Sequence, residues 1–327
     1  MKNFDVVTIG GATLDIMFST DKALILNNRK GLGSNKLLAF ELGSKIVSHN
    51  VIYTHGGGAA NTAVSFAKLG LRVGVISAIG KGTHGQGILS KFKKEKLDSS
   101  FVQTTDGYTG LSFVVTGGQK KDHVIFKHNS ANDLLVVKES VINNINTKWY
   151  YITSLSGKAW KGNLITVFKM AQKKSIKVAW NPGGVQLKKG YPVLKKYLNQ
   201  TEALILNKEE AMSLVDSAGV KTNKIPDLIK IMHVWGIKYI AITEGDKGAT
   251  VCSGESACFQ KALPFVGINT TGAGDAFGSS LIGGLMVYNN NLKKALRLAI
   301  IRSNYVVRVA GAQEGLLTLA EASKVKI

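Results

Sequence analysis

Apolar runs of strand length alternate with amphipathic stretches along most of the chain. FDVVTIGG reads as a buried strand, TAVSFAKLG as a helix and RVGVISAIG as the next strand. Further on, WYYITSL, KVAWNPGG, EALILN, IKYIAITEG and ATVCS have the near-continuous apolar character of strands buried on both faces. Between and after them, helical periodicity predicts helices around GNLITVFKMAQKK, over EEAMSLVDSAG, ending near Trp235, and over 275–288 and 291–309. Strands separated by helices indicate βαβ units and a mainly parallel sheet. Residues 16–54 and 99–128 break this rhythm, with extended alternating stretches such as SKIVSHNVIYTH and GLSFVVTGG and no good helix between. The expectation is one α/β domain over 1–327, three layers deep, carrying a small β-sheet lid built from about 16–54 and 99–128.

Composition narrows the function classes. At 327 residues with 45% hydrophobic content, the chain can bury a large core and is not of disordered type. The net charge of +21 comes overwhelmingly from Lys, with Arg only at 29, 72, 297, 302 and 308. Nucleic-acid readers favour Arg forks interleaved with aromatics. Lys scattered along polar helix faces, as in KFKKEK, argues instead for a solvated surface that attracts anionic small molecules. Two cysteines, Cys252 and Cys258, make neither a disulfide framework nor a metal spacing with the six His. The N-terminal apolar run is interrupted by Asp5 and Asp15 and fails as a signal peptide, and no segment has the apolar length of a membrane span. A cytoplasmic protein is expected.

The stretch with most chemistry is INTTGAGDAFGSSLIGG, from Ile268 to Gly284. Gly272, Ala273 and Gly274 stand directly before Asp275 and a helix lined with small residues. Small side chains leave backbone N–H groups unobstructed, and a helix N-terminus adds orphan donors and a positive dipole end. Together they would form an anion cradle, with Asp275 beside it able to accept a proton from a hydroxyl. A first-turn acid that merely favours the dipole explains the same spacing equally well. Elsewhere, Asn207 and Glu210 alone read as a helix cap with its capping-box acid, and TEGDKG alone as a hairpin turn. The G-x-G-x-x-G match at Gly80, Gly82 and Gly85 is a lone one, best read as loop glycines. No G-x-x-x-x-G-K-[ST] occurs.

NTTGAGDAF resembles the C-terminal signature of the ribokinase-like carbohydrate kinases, the PfkB family. THGGGAANTAVSFAKLG (54–70) is similar to the same family's N-terminal signature. LNKEEA (206–211) matches its N-x-x-E element, TEGDKG (243–248) its T-x-G-x-x-G nucleotide loop, and GATLD (11–15) places an Asp where relatives hold substrate hydroxyls. The five matches run in order from residue 11 to 275. The resemblance implies a ribokinase-like fold with Asp275 as general base and Gly272–Gly274 as anion hole. It further implies acceptor contacts from Asp15, Gly57, Gly58 and Asn61, and nucleotide contacts from Asn207, Thr243, Gly245, Gly248 and Asn304. Glu210 would support Mg²⁺ through water, with ATP as donor.

Two departures matter. Asn269 stands where the signature usually begins with Asp; with Thr271 that position helps relatives bind a monovalent cation, and a neutral amide argues against K⁺ activation. Gly58 replaces the Lys of ribose-phosphorylating relatives, so ribose specificity is not carried over. The expected activity is phosphoryl transfer from ATP to a primary hydroxyl of a small sugar, for which Asn129, Asn132 and Asn181 would be polar partners. A nucleoside acceptor is the alternative, with Phe113 or Tyr53 of the lid as an apolar wall. A non-catalytic protein binding through its basic surface is a further one. In relatives the lid also pairs two subunits, so a homodimer is expected.

Overall fold

In the computed structural model, residues 2–27, 36–117, 122–264 and 270–326 are described. The main sheet has eight strands in the order β16-β15-β14-β13-β12-β11-β1-β6. The parallel part comprises β1 (Lys2–Ile9), β6 (Val73–Ile76), β11 (Ile145–Ile152), β12 (Lys177–Trp180), β13 (Ala203–Asn207) and β14 (Tyr239–Thr243). The hairpin β15 (Ala249–Ser253) and β16 (Ser256–Gln260) continues it antiparallel at one edge. Alternation along each strand divides the core in two. Val7, Ile9, Tyr150 and Ile152 pack on one face beneath the helices Trp160–Lys174, Lys208–Asp216 and Ile225–Val234. Val6, Trp149 and Tyr151 pack on the other beneath Gly58–Lys68, Ala273–Val287 and Leu292–Val306. Burial on both faces is why these strands read as unbroken apolar runs.

A second sheet, four-stranded, stands off from the first in the order β10-β9-β2-β5, with β2 at Thr13–Thr20, β5 at Asn50–Gly56, β9 at Gly110–Gly117 and β10 at Asp122–His128. Two small pairs complete the strands: β3 (Leu24–Asn27) with β4 (Lys36–Ala39), and β7 (Ala78–Gly80) with β8 (Gln103–Thr105). The fold has the expected character, an α/β domain with a mostly parallel sheet and a separate β-sheet. Local readings differ in places. The RVGVISAIG run splits into β6 and β7, and β12 ends at Trp180 before Pro182. Short helices at Gly184–Leu187 and Gly190–Leu198, absent from the apolar pattern reading, fill the segment before β13.

Registry decides what the second sheet presents. Lys127 pairs with Ser112, Ser112 with Asp15, and Asp15 with Thr54, so these four form one row across the sheet. Successive residues of a strand point to opposite faces. The neighbouring row, Phe126–Phe113–Ile16–Tyr53, therefore belongs to the other face. There Tyr53 and Phe126 are largely exposed, and Phe18 stacks on Phe113 at 6.2 Å.

Candidate active site

Strands β1, β11, β13 and β14 all end at one edge of the main sheet, where open α/β folds place their ligands. After β1 the chain turns through Gly10–Gly11–Ala12 into β2, which carries Asp15. The last strand of the second sheet, β5, leads through Gly57 into the helix bearing Asn61. Gly57 has φ +91, and a Cβ on it would press on the Gly11 carbonyl at 2.6 Å, so the turn demands glycine. Gly58 lies against Thr153, whose side chain would stand 2.7 Å from a Cβ. A lysine at this position would therefore displace Thr153.

Asp275 is in the first turn of Ala273–Val287. Gly272 caps that helix in the left-handed region at φ +80, and a Cβ there would meet Ala312 at 2.5 Å. Gly274 has open space beside its Cα. The Ala273 N–H turns back to the Thr270 carbonyl at 3.2 Å. Of the expected cradle, then, the more open donors are the amides beyond Ala273. Asn61 Nδ2 donates to Asp275 Oδ2 at 2.8 Å, and Gln313 Nε2 donates to Asn61 Oδ1 at 3.0 Å. Burial pushes the Asp275 carboxyl up to about 6; the bond from Asn61 and the charge of Lys127 oppose this, and the charge of Asp15 adds to it.

Asp15 is buried, accepts a bond from Thr13 Oγ1 at 2.9 Å, and is also bonded by Ser112. Burial raises its pKa despite these bonds and the nearby Lys127. Gly56 is required beside it, since a Cβ there would overlap the Asp15 carboxylate. Thr54 Oγ1 and Asn129 Oδ1 are buried without a hydrogen-bond partner among the described residues. Buried polar atoms are rarely left so.

A network that the sequence did not announce fixes the two helices carrying Asn61 and Asp275. Ser65 is one turn beyond Asn61, and Ser279 one turn beyond Asp275. Ser279 Oγ donates to the Asp275 carbonyl at 2.5 Å and lies at hydrogen-bond distance, 2.7 Å, from Ser65 Oγ. Arg302, fully buried, donates to Ser65 Oγ at 2.9 Å, Ser280 Oγ at 2.7 Å, the Ser65 carbonyl at 2.9 Å and the Leu317 carbonyl at 2.8 Å. Desolvation pulls its pKa down to about 9, which leaves it charged at neutral pH. The run of small residues after Asp275 is explained here: Gly278, Ser279, Ser280, Gly283 and Gly284 are buried where neighbours press close. A signal was present in the isolated Arg302 within an otherwise apolar helix, but its partners lie 22 and 237 residues away.

On the other side of the Asp275 helix is a cavity of about 420 Å³ lined by Thr243, Gly245, Gly248, Gly274, Phe277 and Asn304, among others. Gly248, at φ +119, is held against the Gln260 carbonyl with no room for a Cβ. Asn304 borders the cavity, yet its amide is committed inside the fold. Its Nδ2 donates to the Leu263 and Pro264 carbonyls and its Oδ1 accepts from Arg308. Its contribution to a bound base would therefore be one of shape.

Asn207 and Glu210 form a complete capping box. Glu210 N–H donates to Asn207 Oδ1 at 2.8 Å, and Asn207 N–H to Glu210 Oε2 at 2.9 Å. Oε1 of Glu210 is outside the cap, and burial raises the carboxyl's pKa. Among the described residues no three His, Cys, Asp or Glu side chains converge as metal ligands. Asn269 lies outside the described residues; Thr271 is just before the Gly272 cap.

Two other expectations are corrected. Phe113 and Tyr53 are on the face of their sheet opposite Asp15, because the pleat reverses at every residue, so they do not flank its carboxylate. Asn132 is buried, with both ends of its amide holding the Ala12 backbone at 3.0 Å. Asn181 likewise holds the Ile205 carbonyl at 2.9 Å. The Asn132 amide is thus fully committed to the backbone, whereas the bond of Asn181 engages only its Nδ2.

A half-buried carboxylate thus stands at a helix N-terminus, with a polar row of the second sheet on one side and a cleft edged by glycine loops on the other. Residues 32–319 match the model of the pfkB family carbohydrate kinases, and the chain belongs to that family. A ribokinase of Haemophilus influenzae is 25% identical over 285 residues, covering 85% of this chain and 89% of the relative. In structure, Arabidopsis thaliana ribokinase complexed with ribose and ATP superposes with a TM-score of 0.78 at 21% identity, over 99% of this chain and 98% of its own. The Burkholderia thailandensis nucleoside kinase in complex with inosine gives 0.78 at 18% identity, over 97% and 96%. No helix among the described residues is long and apolar enough to cross a membrane.

Proposed function

We propose that the protein transfers the γ-phosphoryl group of ATP to a primary hydroxyl of a small sugar, with Asp275 as general base. The observation that carries this reading is the pair Asn61–Asp275 at the mouth of the Gly272-capped helix. One carboxylate oxygen is held by the amide, and burial keeps the group's pKa about 6, near the working pH of a base. The acceptor hydroxyl gives its proton to Asp275 as its oxygen attacks in line. Of the Gly272–Gly274 anion hole, the open helix-terminal amides beyond Ala273 would face the charge developing on the transferring group. Asp15, with Thr54 and Asn129 as groups lacking partners among the described residues, orients the acceptor hydroxyls beside Gly57, Gly58 and Asn61. The glycine-edged cavity takes the nucleotide, through Thr243, Gly245 and Gly248, with Asn304 at its wall.

Mg²⁺ fits in one mode only. Lacking a cluster of three ligands, the described residues offer no protein cage, but the free oxygen of Glu210 suits a hydrated cation that also contacts phosphates. Such an ion would neutralise phosphate charge. Asn207 supports it by holding Glu210 in place. Dependence on K⁺ is not expected, since Asn269 supplies no charge beside Thr271.

A sugar is favoured over a nucleoside because the aromatic residues of the second sheet face away from Asp15. Their exposed outer face, with Tyr53 66% and Phe126 60% accessible, suits a homodimer paired through the lid; a monomer in light scattering would remove that proposal. A purely non-catalytic binding role leaves the glycine cap and the Asn61–Asp275 pair without purpose. The deciding assay is ATP consumption over a panel of sugars and nucleosides, with and without Mg²⁺ and K⁺. Turnover of a sugar supports the reading, turnover of nucleosides alone redirects the acceptor, and salt-sensitive nucleic-acid binding without any turnover overturns it.

A further inference from the structure

We propose that Gln313 is a positioning residue for Asp275: by donating to Asn61 it keeps the N–H end of that amide, and not its oxygen, turned to the carboxylate. The inference rests on the kinase reading above and adds a residue that acts through Asn61. Its basis is a chain of side chains with a single polarity. Gln313 Nε2 donates to Asn61 Oδ1 at 3.0 Å, and Asn61 Nδ2 donates to Asp275 Oδ2 at 2.8 Å. An ionised carboxylate only accepts, so it requires the N–H end of Asn61, which in turn leaves Oδ1 to be met by a donor. Gln313 is buried, 1% exposed, and its Oε1 has no hydrogen-bond partner among the described residues. A buried acceptor left unpaired costs stability that an apolar side chain of the same shape would not. Among the described residues, the bond this side chain does form is the one to Asn61.

The backbone on either side of Gln313 is pinned to the site. A Cβ on Gly311, at φ +101, would stand 2.9 Å from Thr54 of the second sheet, and a Cβ on Gly272 would stand 2.5 Å from Ala312. Glu314 accepts from the Gln313 N–H at 3.2 Å and pairs with Lys91 at 3.5 Å. Three successive residues, 311 to 313, thus meet the second sheet, the helix cap and Asn61. Without the bond from Gln313, the Asn61 amide could turn over at almost constant shape, because the terminal torsion of Asn is roughly two-fold. Its Oδ1 would then face Asp275, repelling the carboxylate and accepting from the protonated acid. That second state favours the form of Asp275 that cannot take a proton. The other groups acting on this carboxyl are Asp15 and Lys127 of the second sheet, and Tyr151 of β11 lies beside it. None of them changes when the amide turns. The rival explanation is that Gln313 only fills space beside Asn61.

Titration of the carboxyl itself separates these and needs no acceptor. The full chain, labelled with ¹³C at Asp carboxyls, is followed by NMR across the acid and neutral range, the Asp275 signal being the one missing from Asp275→Asn. Gln313→Met keeps the shape and removes the donor, so the midpoint should rise by about half to one pH unit. In an Asn61→Ala background the same substitution should add nothing, because its effect passes through Asn61. An unchanged midpoint in Gln313→Met, or an equal rise with and without Asn61, overturns the proposal. Gln313→Leu replaces Gln313→Met if the latter does not fold. If neither folds, the wild type decides: the side-chain amide signals of Asn61 and Gln313 should move with the Asp275 midpoint, and constant signals overturn the proposal. With ATP and a sugar of the panel that is turned over, the acidic limb of kcat/KM should shift as the carboxyl does. KM for ATP should stay within about twofold, since Gln313 does not line the glycine-edged cavity. A limb that stays in place while the carboxyl shifts overturns the role in catalysis. The stated titration without turnover of any sugar upholds the amide chain and counts against the kinase reading alone.

Discussion

Replacing Asp275 by Asn should make the protein more stable and nearly inactive, with both effects tied to one titration. Burial lifts this carboxyl from an ordinary 3.8 to about 6. At about 1.36 kcal/mol per unit, keeping it ionised in the fold costs about 3 kcal/mol. Because the folded pKa is the raised one, the group's favourable contribution is complete below pH 3.8 and is lost as pH climbs through 6. Asp275→Asn removes an ionisation that the fold opposes, and its amide oxygen can still accept from Asn61. At pH 8 the variant should gain up to about 3 kcal/mol, equivalent to about 4 °C in melting temperature for a chain of this size. At pH 4 the gain should vanish. Turnover should fall by about 10²- to 10⁴-fold, the usual contribution of a positioned base. In the wild type, kcat/KM should rise with pH through about 6, the limb reflecting Asp275 coupled to Asp15 and Lys127, while Tyr151 beside it stays neutral. Melting curves at pH 4 and 8 and a pH–rate profile test the whole chain of reasoning. It is refuted by a variant that keeps more than a tenth of normal turnover, or by an activity profile flat from pH 5 to 8.

Further outcomes follow from neighbouring groups. Asn61→Ala removes a bond that favours the ionised carboxylate, so the acidic limb should move above 6 in the pH–rate profile. Gly272→Ala forces a side chain into φ +80 and against Ala312. It should lose about 2 kcal/mol in denaturant unfolding and at least tenfold in kcat, since the first-turn amides shift with the cap. Arg302→Met strands the Ser65 and Leu317 carbonyls and should cost about 2–4 kcal/mol. Because the damage reaches catalysis through helix placement, kcat should fall with KM for ATP little changed, and Arg302→Lys should recover part of the loss.

Periodicity alone determined the layered α/β architecture here, because strands buried on both sides must be apolar throughout and the helices beside them half apolar. The GAGD segment and the glycines before Asn61 were also legible, since a left-handed cap and a backbone pressed on Gly11 leave no alternative residue. What the chain could not reveal by itself is which groups meet. Asn61 and Asp275 are 214 residues apart, and nothing local in either helix indicates the other. The capping box at Asn207 was visible, but not that a Glu210 oxygen remains outside it. Phe113, Tyr53 and Lys127 lie in similar alternating stretches, and only strand registry puts the lysine on the Asp15 face and the aromatics on the other. A one-residue change of register would exchange those faces, so local sequence supplies the side chains and tertiary pairing decides which of them the pocket receives.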